Sequence, residues 1–341
     1  MSMSNRARST LVALTGILLL GIAVQRFSQR QPQAYHGPVE RIVLAAEMVP
    51  HASPVWIAED RGYFREQGIE LQVRACESGR TALRNMLNQP GIDMATAAQT
   101  PVIHSSFHRD DYAIVAGMVY SDTDIKLLAR RDRGIAAAQD LKGKTVGITS
   151  GSSGHFFLSL FLAHHWLQLS DVKTADLEPA RLARALAEGE VDAIATWEPH
   201  IHRAQEALGD RAVLFPSRAI YREDFYFVAS KPFIAQRSAP LKRFLRAIEK
   251  AQQFILKNRR QAMDIVQRRL NLQSEILDAT WDEYVFGLFL DQSILDSLED
   301  EARWAVENGL ATDAKMPNYL GFIHSEALKA IKPEAVTVAG R

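Results

Sequence analysis

Clusters of hydroxyl residues and glycine follow several strand-like segments of this sequence, and their chemistry suits the binding of a small polar ligand. Small hydroxyl side chains at a helix start accept hydrogen bonds from free N–H groups, and the helix dipole there favours an anion. Glycine lets a ligand approach the backbone closely. The longest cluster joins a short strand to a helix and comprises Ser150, Gly151, Ser152, Ser153 and Gly154. A single cluster of this kind also fits an ordinary capped turn.

The same pattern recurs at other strand-to-helix junctions, and this repetition favours a binding site. These junctions are Ser53-Pro54, Ser78-Gly79, Thr100-Pro101 and Thr196 to Pro199. Because ligands of open α/β sheets bind at the carboxyl ends of the strands, the junctions can face each other across one cleft. Trp197 would then form an apolar wall and Glu198 would supply a charge. Asp224 begins a later strand-like segment that would cross between the halves. Three alternatives stay open: Trp197 packs in the core, Glu198 stabilises its own helix, and Asp224 is a turn residue.

The segments that must position these residues alternate between strand-like and helical patterns. The strand-like segments are 41–46, 69–73, 92–96, 113–119, 125–129, 145–148, 191–196, 212–215 and 224–229. Strands that alternate with helices at this spacing predict βαβ units and mostly parallel sheets. From residue 231 onward the pattern becomes helical, including 276–290 and 294–307. We expect two α/β halves followed by a helical tail that packs back onto the first half.

Composition excludes several classes of protein. The chain has 341 residues, with 40 lysines and arginines balanced by 40 aspartates and glutamates. This balance gives no indication of a nucleic acid or an acidic polymer as partner. The single cysteine, Cys76, excludes an internal disulfide and any cysteine-rich zinc or iron–sulfur site.

The N-terminus has the layout of an export signal or a short membrane anchor. Two arginines precede an uncharged, apolar run at 9–25, and two more follow it. No small-x-small cleavage site and no lipidation cysteine follow the run. We therefore favour an uncleaved anchor, followed by a linker that ends near residue 38.

Five segments together resemble the type II periplasmic substrate-binding proteins of ABC importers, in the group for nitrate, sulfonates, taurine and thiamine-precursor pyrimidines. They read SPVWIAEDRGYFREQGIELQV, ESGRTAL, AQTP, DLKGKTVGITSGSSGHFFL and VDAIATWEP. The resemblance extends from residue 40 to roughly residue 260.

The resemblance implies an α/β, two-lobed periplasmic-binding-protein type II fold. Each lobe is expected to be a mostly parallel sheet flanked by helices, with a helical C-terminal tail. The implied division is 1–38 as signal or anchor plus linker, 39–123 and 230–341 as lobe 1, and 124–229 as lobe 2. The chain would cross between the lobes near 124–130 and 224–229.

The implied function is the extracytoplasmic solute-binding component of an ABC importer, which closes on a small anionic or zwitterionic solute. By position, the family's ligand contacts fall on His51, Ser53, Ser78, Gly79, Gln99, Thr100, Ser150, Gly151, Ser152, Ser153, Trp197 and Asp224. His155 stands where many relatives have an acid. We expect no catalytic residue, metal or cofactor, a monomer, a permease of the inner membrane as partner, and a periplasmic body.

Other functions compete with this prediction. Some lyases of menaquinone biosynthesis and the pyrimidine-forming synthases resemble these binding proteins. The cysteine-rich motif of the synthases is absent from this sequence. A Gly-x-Ser-x-Gly hydrolase motif is also absent, since 151–154 reads Gly-Ser-Ser-Gly. A metal site would use His104 and His108, or the histidines at 164, 165, 200 and 202. A sensory solute receptor would have the same cleft.

Overall fold

The computed structural model describes residues 35–311 and 315–339. Val39–Arg341 form one compact unit, to which the following description refers. The predicted anchor at 9–25 lies outside the described residues. Among the helices that are described, none combines the length and the apolar character that crossing a membrane requires.

Eleven strands are described, and they form two sheets. They are β1 Glu40–Glu47, β2 Ile69–Cys76, β3 Met94–Ala98, β4 Tyr112–Ser121, β5 Lys126–Arg130, β6 Thr145–Ile148, β7 Lys173–Asp176, β8 Ala193–Thr196, β9 Ala212–Phe215, β10 Glu223–Ser230 and β11 Val285–Phe289. The first sheet has the order β11-β4-β10-β3-β1-β2, and the second has the order β7-β6-β8-β5-β9.

Both sheets are mixed. In the first sheet β1 runs parallel to β2 and β3, whereas β10 is antiparallel to β3 and β4, and β11 is antiparallel to β4. In the second sheet β6 is parallel to β7 and β8, whereas β5 is antiparallel to β8 and β9. The expected mostly parallel sheets are therefore corrected to mixed sheets. The reason is that a strand that enters from the other sheet can pair in either direction.

The α-helices flank these sheets. They are α1 Ser53–Asp60, α2 Tyr63–Glu66, α3 Gly79–Asn88, α4 Gln99–Ser106, α5 Ser153–His164, α6 Pro179–Glu188, α7 His200–Leu208, α8 Lys231–Gln236, α9 Ser238–Lys257, α10 Arg259–Leu270, α11 Ser274–Thr280, α12 Gln292–Glu307 and α13 Glu326–Lys329. Helix α9 packs on α1 and α2. The C-terminal part of the chain thus returns to the first sheet, as the sequence predicts.

The burial of a strand determines whether the hydrophobic pattern of the sequence predicts it. Strands β3 and β5 are buried along their whole length. Strand β3 accordingly reads as a continuous run of apolar and small residues, and β5 has a Leu-Leu-Ala centre between Lys126 and Arg130. Strand β7 has the sequence Lys-Thr-Ala-Asp and no fully buried residue, and the hydrophobic pattern gives no indication of it. Strand β11 lies inside the segment 276–290 that was predicted as helical. That part of the helix prediction is wrong, because pairing with β4 decides the conformation of 285–289.

The lobe boundaries predicted at 123/124 and 229/230 stay a prediction. The chain leaves the first sheet after Ser121, at the end of β4. It re-enters this sheet at Glu223, because β10 lies between β3 and β4. The segment 216–222, rather than 224–229, therefore leads from the second sheet back to the first.

The start of helix α5 approaches strand β8 very closely. A Cβ atom on Gly154 would lie 2.8 Å from the carbonyl oxygen of Ala195, closer than real Cβ contacts allow. The helix N-terminus can therefore reach the end of the second sheet only if residue 154 lacks a side chain.

We expect Gly154→Ala to lower the free energy of unfolding by about 1–3 kcal/mol, because the helix must move away from a backbone atom. Urea denaturation followed by circular dichroism measures the loss. Gly287→Ala is the control, since no atom lies within 4 Å of a Cβ there. Equal denaturation midpoints for the two variants would show that α5 can shift without cost.

Candidate functional site

A small cavity lies where the strand ends of the two sheets meet. Residues of both sheets line it, and the space open to the centres of water-sized molecules is about 30 Å³. Six of the predicted ligand contacts line this cavity: His51, Ser78, Gly79, Ser152, Ser153 and Trp197. The junctions after β1, β2, β6 and β8 are thus brought together, as the edge of an α/β sheet requires.

Six predicted residues are not among those that line the cavity, and four of them are paired with other groups of the protein. The hydroxyl of Ser53 donates to the Pro50 carbonyl, and that of Thr100 donates to the Glu301 carboxyl. The Gln99 side chain accepts a hydrogen bond from the backbone N–H of Asp224 at 2.9 Å, and Arg222 pairs with the Asp224 carboxyl at 2.9 Å. All four side chains are thus paired with other groups of the protein. Their part in ligand binding stays a prediction.

Ser150 and Gly151 line a different depression, next to His104. Their backbone nevertheless connects to the cavity, because Arg80 donates from Nη1 to the Ser150 carbonyl oxygen at 2.7 Å. Arg80 itself lines both depressions.

The hydroxyls act as helix caps less often than the sequence indicates. Ser78 does cap α3, since its Oγ accepts from the Thr81 N–H at 3.2 Å. The Ser152 hydroxyl instead donates to the Thr149 carbonyl at 2.7 Å. Helix α1 begins at Ser53 itself and not after it, because a short 3₁₀ turn at Pro50–Ala52 precedes it.

Trp197 is both a wall of the cavity and part of the core. Its side chain belongs to the apolar cluster of the second sheet and is 7% exposed. Its indole N–H donates to Glu47 Oε1 at 3.1 Å, and Glu47 Oε2 accepts from the Gly79 N–H at 3.0 Å. The end of β8 is thereby joined to the ends of β1 and β2. The two interpretations of Trp197 offered by the sequence are therefore compatible.

The sequence analysis missed three buried carboxyl groups that line the cavity: Glu47, Asp124 and Glu223. Glu47 is the last residue of β1, Asp124 follows β4, and Glu223 is the first residue of β10. Because β10 runs antiparallel, its first residue lies at the same edge as the other strand ends. An acidic residue at the end of a buried strand is the signal that would have found them.

Burial shifts the protonation of these carboxyls. It raises the pKa of Glu47 to about 8, although hydrogen bonds from Trp197 and Gly79 lower it. Burial also raises the pKa of Asp124, against the hydrogen bond from Tyr284 and the charge of Lys126. The pKa of Glu223 is raised for the same reason, and the nearby Asp124 carboxyl raises it further.

Glu198 is a structural residue and does not line the cavity. Its Oε1 lies 3.1 Å from Lys126 Nζ, which also contacts Glu283 at 2.8 Å. Its other oxygen accepts from the backbone N–H of His202 at 3.0 Å, inside helix α7. The acid therefore stabilises its own helix, as one of the alternatives from the sequence proposed.

His155, which departs from the resemblance, is buried and lies edge-on to Trp304 with the ring centroids 5.6 Å apart. Within residues 35–311 and 315–339, no three histidine, cysteine, aspartate or glutamate side chains are grouped as a metal ion requires.

Comparison with known proteins identifies a matching family and similar binding proteins. The profile of the family described as NMT1/THI5 like matches residues 49–262. A putative binding protein of Brucella abortus (strain 2308) is 23% identical over 225 residues, which are 65% of this chain and 69% of that protein.

Solved structures show the same fold. The alkanesulfonate-binding protein SsuA of Xanthomonas axonopodis pv. citri, bound to MOPS, has a TM-score of 0.74 and 18% identity, covering 85% of this chain and 99% of that one. The desulfurization enzyme DSZB has a TM-score of 0.59 and 18% identity, over 85% and 98% of the two chains. The predicted two-lobed periplasmic-binding-protein fold is confirmed.

We expect the protein without ligand to become more stable as the pH falls from about 8.5 to about 6.5. A carboxyl with a raised pKa in the folded state contributes stability that is lost as the pH rises through that pKa. Glu47 and Glu301 have pKa values of about 8 because they are buried. Below about pH 6.5 the buried His51, His104 and His200, whose pKa values burial lowers, act in the opposite sense.

Melting temperatures at several pH values in this window test the expectation. Glu47→Gln removes one titrating group and should reduce the slope, whereas Glu188→Gln, at an exposed position of α6, should not change it. A slope of opposite sign in the unchanged protein, or an unchanged slope in Glu47→Gln, contradicts the prediction.

Proposed function

The chain belongs to the NMT1/THI5-like family, and we propose that this member is the extracytoplasmic solute-binding component of an ABC importer. A single observation carries the proposal: the strand ends of two α/β sheets enclose one buried cavity, with the indole of Trp197 and helix starts in its wall. The resemblance of the fold to the alkanesulfonate-binding protein supports the same conclusion.

The proposed mechanism is capture by closure around a small solute. Trp197 lies on the second sheet and contacts Glu47 on the first, so a ligand beside this contact stabilises the closed form. Ser153 and Gly79 belong to the first turns of α5 and α3, whose dipoles favour a negative group. The solute is then released to a permease in the inner membrane. We propose that lobe 1 contains the first sheet and lobe 2 the second, so that lobe 2, expected at 124–229, ends at residue 222 and β10 belongs to lobe 1.

The same proposal assigns the protein to the periplasm as a monomer, tethered by residues 9–25. The support for the tether is the arginine-flanked apolar run without a cleavage site. An intact N-terminus on the protein recovered from the membrane fraction tests it. Recovery of a soluble chain that starts after residue 25 contradicts the tether and leaves the export intact.

We expect binding without chemical conversion. A thermal-shift screen over sulfonates, taurine, nitrate, pyrimidines and aromatic acids should yield a ligand that raises the melting temperature. At a hundred times Kd, binding to the folded form alone adds about 2.7 kcal/mol to stability. Since the desulfurization enzyme has the same fold, each ligand is incubated with the protein and followed by mass spectrometry. Consumption of the ligand would replace the proposal by an enzymatic function.

We expect Trp197→Ala to weaken ligand binding by about 2 kcal/mol or more, as for a buried aromatic anchor. It should also destabilise the protein by about 3–5 kcal/mol, because the indole belongs to the core of the second sheet. Trp56→Ala is the matched control: Trp56 is 1% exposed and lies in the core of the first sheet. That variant should be destabilised with an unchanged Kd. Unchanged affinity in Trp197→Ala would remove this residue from the site.

A further inference from the structure

The cavity wall carries more negative than positive groups. The carboxyls of Glu47, Asp124 and Glu223 all line the cavity, with 6%, 1% and 4% of each residue exposed. Burying a carboxylate costs free energy unless an opposite charge or several hydrogen-bond donors accompany it. Each of these carboxyls therefore needs either a bound proton or a cationic partner.

Glu47 accepts hydrogen bonds through both oxygens, but the donors of the protein leave one oxygen of Asp124 and one of Glu223 without a partner. Asp124 accepts a hydrogen bond from the Tyr284 hydroxyl through Oδ1, and its Oδ2 is buried without a partner. Glu223 Oε2 is also buried without a partner. His51 Nδ1, on the same cavity wall, is a third polar atom in this condition. These atoms lie on the loop after β4, at the start of β10 and after β1.

Among the described residues, the nearby cations form no ion pair with Asp124 or Glu223. Lys126 Nζ bridges Glu198 and Glu283, at 3.1 and 2.8 Å. The guanidinium of Arg80 donates to the Ser150 carbonyl and lies 3.5 Å from a carboxyl oxygen of Glu178. The His51 ring stacks on Phe225 with the centroids 3.8 Å apart, and burial lowers the pKa of this imidazole to about 3, so that it is neutral.

We infer that the solute bound in this cavity carries a protonated amine, and that the carboxyls of Asp124 and Glu223 bind this ammonium group beside Glu47. The inference rests on the proposed function and narrows the solute within its anionic or zwitterionic class. Ammonium N–H groups would pair with the two unsatisfied carboxyl oxygens in charge-assisted hydrogen bonds. A solute that is only anionic would instead keep these carboxyls protonated, because a nearby negative charge raises their pKa further.

An anionic end of the same solute has its own partner. Arg80 lines the cavity, and its Nε is buried without a hydrogen-bond partner. Ser152 and Ser153 line the same cavity at the start of helix α5, and the Ser153 side chain hydrogen-bonds to the Glu223 carboxyl. The arrangement is therefore complementary to a small zwitterion, and the ammonium group is the part that separates it from simple sulfonates.

Matched pairs of solutes that differ only in the amine test this inference. The pairs are 2-aminoethanesulfonate with ethanesulfonate, 3-aminopropanoate with propanoate, and an aminomethylpyrimidine with the methylpyrimidine. Isothermal titration calorimetry near neutral pH should show at least tenfold tighter binding for the amine of one pair. Titration in two buffers of different ionisation enthalpy should show proton release, because a bound cation lowers the raised pKa of the buried carboxyls.

Two results overturn the inference and leave the proposed function in place. The first is equal or tighter binding of the amine-free member of each pair that binds. The second is proton uptake on binding, which an anion next to these carboxyls would cause. If none of the pairs binds and another, amine-free solute does, the inference fails in the same way. If no solute binds at all, the proposed function fails with it.

Variants locate the ammonium group. Glu223→Gln and Asp124→Asn should each weaken the amine-bearing ligand at least tenfold and reduce its advantage over the amine-free partner. Glu301→Gln is the matched control, since Glu301 is 1% exposed, has a raised pKa because of burial, and does not line the cavity. Its affinity should stay within twofold. If the site variants do not fold, the paired solutes with the unchanged protein decide the matter.

Discussion

The hydrogen bond between Trp197 and Glu47 connects the two sheets at the edge where their strands end. The indole N–H lies 3.1 Å from Oε1, and the Gly79 N–H occupies Oε2, so both oxygens of a fully buried carboxyl are engaged. These donors do not offset the loss of hydration, and the pKa of Glu47 is about 8. The contact between the sheets is therefore sensitive to protonation and to whatever occupies the cavity beside it.

The buried carboxyls at this edge fall into two groups: those paired with Lys126 and those that line the cavity. Lys126 lies between Glu198 and Glu283 and gives both carboxyls a charged partner within the protein. Asp124 and Glu223 line the cavity, and each keeps one carboxyl oxygen without a partner. The carboxyls paired with Lys126 have their partner within the protein, whereas those of Asp124 and Glu223 keep oxygens that a ligand in the cavity can satisfy.

Much of the fold was predictable because buried strands leave long apolar runs and because the family's segments lie at the strand ends. The prediction failed where pairing rather than sequence pattern decides conformation. Strand β7 is exposed, and β11 forms because it pairs with β4. The direction of β10 was not predictable either, since the same residues suit a parallel and an antiparallel neighbour.

For the site, the sequence by itself determined the junction residues, with Ser78 as a cap and Ser152, Ser153 and Trp197 at strand-to-helix turns. Residue type and spacing suffice there because capping and turn chemistry are local. Only the tertiary structure decided that Thr100 turns away to Glu301. It also decided that carboxyls from three distant segments meet in one cavity. No local pattern carries that information, because burial and the resulting pKa shifts depend on which strands become neighbours.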